Sequence, residues 1–247
     1  MPKDQSHSEL GVVESNISGP VALVRWSRIG KRNAFDSPLA SRLAEVLESL
    51  TLRGDLSTVV LRSDGPIFCA GWDLDEIKMV SSPTQATALI ASGRRCLSAL
   101  DQLPQVVVSV VERSTMGFGV SLLAHSDVVL MSDSAEIKLP ELQHGLVPAS
   151  VLGDLVARVG RARALRWCLM GEVPLDEALS SGLVGECIES SCLEFIVSER
   201  IDAIGRQVPA AVRSIKRLSA TLRSDLSKTY EIGDSFATSM LSSRMAP

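Results

Sequence analysis

Val106-Val107-Val108-Ser109-Val110-Val111 carries almost no polar residue, so a strand formed here must be covered on both faces. Helix-like sequence from Ala86 to Leu103 enters it through Pro104. A short helix around Gly119 to His125 leaves it for a second strand, Asp127 to Met131. The same theme stands upstream. The strand-like run Val21 to Trp26 is followed by a helix whose Leu39, Leu43, Val46, Leu47 and Leu50 share one face, and then by Ser57 to Arg62. Ser37 is expected to cap that helix, Pro38 to occupy its first position, and Arg53-Gly54 to close it. Strand, helix, strand units of this kind build layered α/β structures, here read as a spiral of strands with helices outside.

From about Val151 the chain becomes helix upon helix. Leu152, Leu155, Val156 and Val159 form a stripe ended by Gly160. Ala164 to Met170 runs to Gly171, and Asp176 to Ser181 to Gly182. Leu183 to Ile188 reads as a short strand or link. Helices follow from Leu193 to Gln207, from Pro209 through Leu222, and from Asp225 to Met240, with Ser242 to Pro247 expected to be loose. The expected division is a spiral core over residues 1–190 and a helical C-terminal region over 191–247.

Composition narrows the function classes. Hydrophobic residues make up 45% of 247, enough for a packed core, and mean hydropathy is +0.21. No apolar run approaches the roughly 20 residues that span a bilayer, and the polar start Met1 to His7 lacks a signal-peptide core. A net charge of −4 argues against a nucleic-acid partner. Five cysteines without a CxxC pair and three scattered histidines give neither a disulfide framework nor a metal-ligand spacing. The expectation is a reduced, cytoplasmic, metal-free protein.

Two small-residue turns carry the chemistry. Ile67-Phe68-Cys69-Ala70-Gly71-Trp72-Asp73-Leu74 and Met116-Gly117-Phe118-Gly119-Val120 each leave an apolar strand and enter a segment able to start a helix. Such turns expose backbone N–H groups, and two converging ones would hold an oxygen that gains negative charge. Glu141, in Leu139-Pro140-Glu141-Leu142, is a candidate acid/base. Cys69 reads as a small buried residue rather than a nucleophile. His125 reads as packing.

These residues, with Lys31-Arg32-Asn33-Ala34-Phe35, Gly160-Arg161-Ala162-Arg163-Ala164-Leu165 and Ala178-Leu179-Ser180-Ser181-Gly182-Leu183-Val184, resemble the enoyl-CoA hydratase/isomerase (crotonase) superfamily. The likeness runs in order from about Val12 to Leu222. It implies a spiral of ββα units, a helical C-terminal region used in trimers or hexamers, and acyl-CoA or acyl-carrier thioester substrates. Coenzyme A then enters as part of the substrate, with no separate cofactor.

Carried over by position, the backbone N–H groups of Trp72 and Phe118 form the oxyanion hole and Glu141 moves protons. Lys31, Arg32 and Lys216 match residues near CoA phosphates, Lys216 by reaching a neighbouring subunit's ligand. Cys69, Ala70 and Gly71 border the adenine and pantetheine path. Glycines 117 and 119 let the backbone approach the thioester. The departure is Ser121, where hydratases generally carry a second glutamate; serine can orient water or substrate but is no base at neutral pH. The resemblance with this change favours isomerisation or decarboxylation over hydration. Pro140-Glu141-Leu142-Gln143-His144-Gly145 also resembles the turn of carboxymethylproline synthases, which decarboxylate malonyl-CoA and form a C–C bond; His144 is there a turn residue. A silent acyl-CoA-binding relative is the reading from another class.

Overall fold

The computed structural model describes residues 11–221 and residue 238. Nine strands are present among them. The main sheet has the order β1 (Val12–Ser18), β2 (Val21–Ser27), β3 (Thr58–Ser63), β4 (Val106–Val111), β6 (Val128–Ser132) and β9 (Glu186–Ile188). β1 and β2 form an antiparallel hairpin and every later neighbour is parallel. A smaller sheet joins β5 (Thr115–Met116), β7 (Ile137–Lys138) and β8 (Glu172–Val173). β4 and β6 each give rise to a short strand of the second sheet, so the chain steps between two sheets as it winds.

Parallel neighbours require crossovers, and the helices supply them. α1 (Ser37–Thr51) links β2 to β3, while α2 (Leu74–Met79) and α3 (Pro83–Gln102) link β3 to β4. α4 (Phe118–Ala124) joins β5 to β6, and α5 (Ala149–Val159), α6 (Arg161–Met170) and α7 (Leu175–Ser180) fill the path to β9. α8 (Leu193–Gly205) and α9 (Pro209–Thr221) close the described chain. The expected helix Asp225 to Met240 and tail Ser242 to Pro247 lie outside the described residues, apart from Thr238.

The apolar run of β4 is explained by its two neighbours. Val107 and Val111 join the principal core with α1 and α3, whereas Val108 and Val110 pack with Val60, Leu130, Leu193 and Val197 on the opposite face. α8 therefore covers the far side of the main sheet. Ser109, the one polar residue of the run, is fully buried and shares a 2.7 Å hydrogen bond with Ser126. In α1, Leu39, Leu43 and Leu47 are completely buried, worth about 1.5–3 kcal/mol each.

Its cap differs from expectation. Asp36 accepts the Leu39 N–H at 2.8 Å, leaving Ser37 as the first helical residue and Pro38 as the second. An aspartate one residue earlier has the reach and the charge to take the orphan donor. The helix also stops at Thr51, before Arg53-Gly54.

Candidate active site

Phe35 and Trp72 form an isolated parallel bridge: Phe35 N–H donates to Gly71 O at 2.8 Å and Asp73 N–H to Phe35 O at 2.7 Å. In such a bridge the central residue's own N–H points away from its partner. The Trp72 amide has no acceptor among the described residues. On the other flank Cys69 bridges to Thr115, with Met116 N–H donating to Cys69 O at 2.8 Å. Gly117 donates to Lys138 O at 3.1 Å, and Phe118 then opens α4. The amide of Phe118 is one of the orphan donors of a helix start and also lacks an acceptor among the described residues.

Buried polar side chains hold the first turn in place. Arg28, nearly fully buried, bonds Asp73 at 2.8 Å, Asp36 at 2.9 Å and the Ala34 carbonyl at 3.0 Å. Asn33, completely buried, accepts from Arg28 N–H at 2.7 Å and donates to the carbonyls of Asp64 and Ile67 at 2.6 and 2.7 Å.

The two turns meet. A methyl group placed on Gly117 would stand 3.3 Å from Gly71 Cα and 2.8 Å from Glu141 Oε1. Gly71, Trp72, Gly117, Phe118 and Glu141 line one cavity of about 390 Å³. Leu74, Ile77, Leu89, Ile90 and Leu97 of α2 and α3 form an apolar wall facing Ala149 and Val151 of α5. Glu141 arrives on a 3₁₀ turn, Pro140–His144. Its Oε2 is buried without a hydrogen-bond partner among the described residues. Burial pushes its pKa up to about 6, opposed only by its own backbone amide. The arrangement offers main-chain donors, one carboxylate near its working range and a largely water-poor wall.

Comparison with known proteins gives this geometry a family. The enoyl-CoA hydratase/isomerase family model matches residues 16–245. The chain belongs to the enoyl-CoA hydratase/isomerase family. YngF of Bacillus subtilis (strain 168), named for enoyl-CoA hydratase/isomerase, is 27% identical over 210 residues, covering 83% of this chain and 80% of its own. Mouse ethylmalonyl-CoA decarboxylase is 27% identical over 210 residues, covering 82% and 65%. An enoyl-CoA hydratase structure from Mycobacterium avium subsp. paratuberculosis K-10 superposes with a TM-score of 0.81 at 25% identity, covering 95% and 94%. The spiral of strand pairs is thus the crotonase fold.

Within this family frame, the residues expected at the site divide. Trp72, Phe118, Glu141, Arg32, Ala70 and Gly71 line the cavity, as does His144. Lys31, Cys69, Ser121 and Lys216 do not. Lys31 bonds Asp75 at 2.8 Å, a contact that raises its pKa together with the Asp73 charge. Cys69 is fully buried, its thiol pushed up to about 12 by burial, and its Sγ accepts the Gly71 N–H at 3.3 Å within the turn. Lys216 pairs with Asp127, whose carboxylate also accepts the Val107 N–H at 2.7 Å, and so ties α9 to the sheet.

Ser121, expected to orient water or substrate, is not among the residues that line the cavity. It is completely buried inside α4, and its Oγ has no partner among the described residues. Gly119 is likewise not at the wall: a methyl on it would lie 2.2 Å from Thr115 Oγ1 and 2.7 Å from Cys69 Cβ, so its smallness serves the packing of α4 against the first turn. The indole and phenyl rings of Trp72 and Phe118 pack edge to face at 5.1 Å, and the indole N–H donates to Glu76 at 2.8 Å.

His125 is more than packing. It is 2% exposed, with Nδ1 3.0 Å from Asp101 and Nε2 3.2 Å from Asp154. Burial alone would lower its pKa, but the two carboxylates raise it to about 9. The imidazolium therefore clamps α3 to α5 at neutral pH. Because the folded value lies above the ordinary 6.5, its stabilisation is complete below about 6.5 and lost as pH rises through about 9. Melting temperature should fall between pH 7 and 9.5 in the wild type. His125→Asn should be less stable at pH 7 by about 3–5 kcal/mol, because Asp154 loses a buried partner, and should lose this part of the pH dependence. Thermal melts across pH check both. Glu76, Arg94 and Asp154 gave no signal in the sequence beyond ordinary helix charges; only the fold turns them inward.

Five free cysteines are present, no group of three or more His, Cys, Asp or Glu side chains suited to a metal occurs among the described residues, and none of their helices is long and apolar enough to cross a membrane.

Proposed function

We propose that the protein binds an acyl-CoA or acyl-carrier thioester with its carbonyl oxygen between the N–H groups of Trp72 and Phe118, and that Glu141 moves a proton on the carbon chain beside it. The enolate oxygen carries more charge than the ground-state carbonyl, so each donor favours the transition state, by about 3–4 kcal/mol in a dry site. The start of α4 adds its dipole at the same place.

The observation that supports this choice of reaction is that Glu141 is the one acidic side chain lining the cavity among the described residues. Hydration in this family uses two carboxylates around the attacking water, and position 121 supplies none. A single carboxylate suits isomerisation: it takes a proton from C2 of a 3-enoyl thioester, the electron pair passes into the enolate, and the proton returns at C4. It suits decarboxylation second. There the C2–carboxylate bond breaks, CO₂ leaves, the electron pair becomes the enolate, and protonated Glu141 delivers its proton to C2. The name of the mouse relative, ethylmalonyl-CoA decarboxylase, supports that second reading. C–C bond formation from a malonyl-CoA enolate, suggested by the Pro140 to Gly145 turn, needs the same hole and a second substrate. The assembly is proposed to be a trimer or hexamer built through the C-terminal helices.

The test is mass spectrometry of 2-enoyl, 3-enoyl, saturated, malonyl and methylmalonyl-CoA incubated with the protein in D₂O. Double-bond migration, CO₂ loss or deuterium at C2 that disappears in Glu141→Gln supports enolate chemistry and names the reaction. A panel left unchanged on every thioester would overturn it in favour of a silent binder.

A further inference from the structure

Gly93, in the middle of α3, lines the cavity without a side chain, and two rings take the space it leaves. A methyl group placed on it would stand 3.1 Å from Trp72 Cζ3, and 3.4 Å from Trp72 Cη2 and from Phe118 Cε2. The indole and the phenyl therefore rest on the helix and close the gap between the two oxyanion turns and α3. A methylene chain needs about 3.5–4.0 Å to each carbon neighbour, so none passes between the rings and Gly93.

The indole is held where it stands. Its N–H donates to Glu76 Oε2 at 2.8 Å, and the same carboxylate accepts the Ser37 N–H at 3.1 and 3.2 Å. An orphan amide at the start of α1 thus fixes Glu76, and Glu76 fixes the indole. Phe118 stands between Trp72, edge to face at 5.1 Å, and Phe35, also at 5.1 Å. Three helices therefore support one wall. Main-chain donors ask nothing of the side chain at 72, and an indole serving the core alone would be covered; this one is half-buried and lines the cavity.

We propose that Trp72 is the stop that limits acyl length, with Glu76 as the residue that positions it, so that the protein takes compact acyl groups and turns away long straight ones. This rests on the thioester reading of the cavity. With the carbonyl oxygen at the N–H groups of residues 72 and 118, the rings of those same residues stand beside the first carbons of the acyl chain. The volume agrees. About 390 Å³ lies at the small end of the roughly 300–1,000 Å³ of ligand pockets, and it must also admit the thioester arm.

The experiment is calorimetric binding of acetyl-, butyryl-, hexanoyl-, octanoyl- and decanoyl-CoA, with free CoA as the reference. Affinity should rise about fourfold for each methylene that is buried, and in wild type stop rising by hexanoyl. Trp72→Leu, its fold checked by circular dichroism, should carry the rise on to octanoyl or beyond. Glu76→Ala tests the same wall with the indole still present but untied, and should move the stop the same way by less. Glu76→Gln, which still offers the indole an acceptor, should keep the wild-type stop. The readout is the length at which affinity stops rising, which a general loss of stability does not move. A wild-type rise that continues to decanoyl, or a stop that Trp72→Leu and Glu76→Ala both leave in place, would overturn the assignment while keeping the thioester reading. No binding of CoA or of any thioester would overturn both.

Discussion

Glu141→Gln is expected to lower kcat/KM on the true thioester by about 10²–10⁴-fold, the usual contribution of a positioned acid/base, with thioester binding nearly unchanged. The amide keeps the shape of the carboxylate and stays against the Gly117 backbone, but it cannot take a proton. If Glu141 is the base, wild-type kcat/KM should rise with pH through about 6, where burial places the carboxyl, and then level off. The variant's residual rate should lack that step. Stability runs the other way: a carboxyl raised above its ordinary value stabilises the fold at low pH and loses that contribution as pH rises through about 6. Glu141→Gln should therefore melt no lower than wild type at pH 8. Steady-state rates and melts on one preparation check both; full activity would take Glu141 out of the mechanism.

Gly117→Ala is expected to cost about 10²–10³-fold in kcat, comparable to losing one oxyanion donor. The added methyl would sit 2.8 Å from Glu141 Oε1 and 3.3 Å from Gly71 Cα, so either the carboxylate or the first turn must shift. The residue also holds φ +50° and ψ −116°, a conformation that strains any side chain by about 1–3 kcal/mol. Because the strain is local, the variant should remain folded with a modestly lower melting temperature. Kinetics together with circular dichroism separate the two effects; unchanged kcat would mean that the amide of Phe118 stabilises nothing in the transition state.

The layered fold was legible because its strongest signals are two-sided burial and helical stripes. The run Val106 to Val111 could be satisfied only by layers on both faces, and α3 and α8 provide them. The two turns and Glu141 were also readable, since small residues between a strand and a helix have few other uses. What stayed hidden depends on direction in space. Ser121 and Gly119 sit beside the chemistry in sequence, yet α4 points one into the core and the other at Cys69. Arg94 and Arg95 are neighbours; one lines the cavity, while the other pairs with Glu48 at the surface. Lys31 and Arg32 divide the same way, one bound to Asp75 and one at the cavity. No periodicity distinguishes such pairs before the helices are packed.

The bridges that pin Trp72 and its turn use main-chain atoms throughout. Donors of that material follow the course of the backbone, which the buried side chains of Arg28 and Asn33 hold in place. The indole at 72 and the phenyl at 118 can be exchanged over evolutionary time to reshape what enters, without redrawing the donors. Lineages descending from such a chain would diversify in diet sooner than in chemistry.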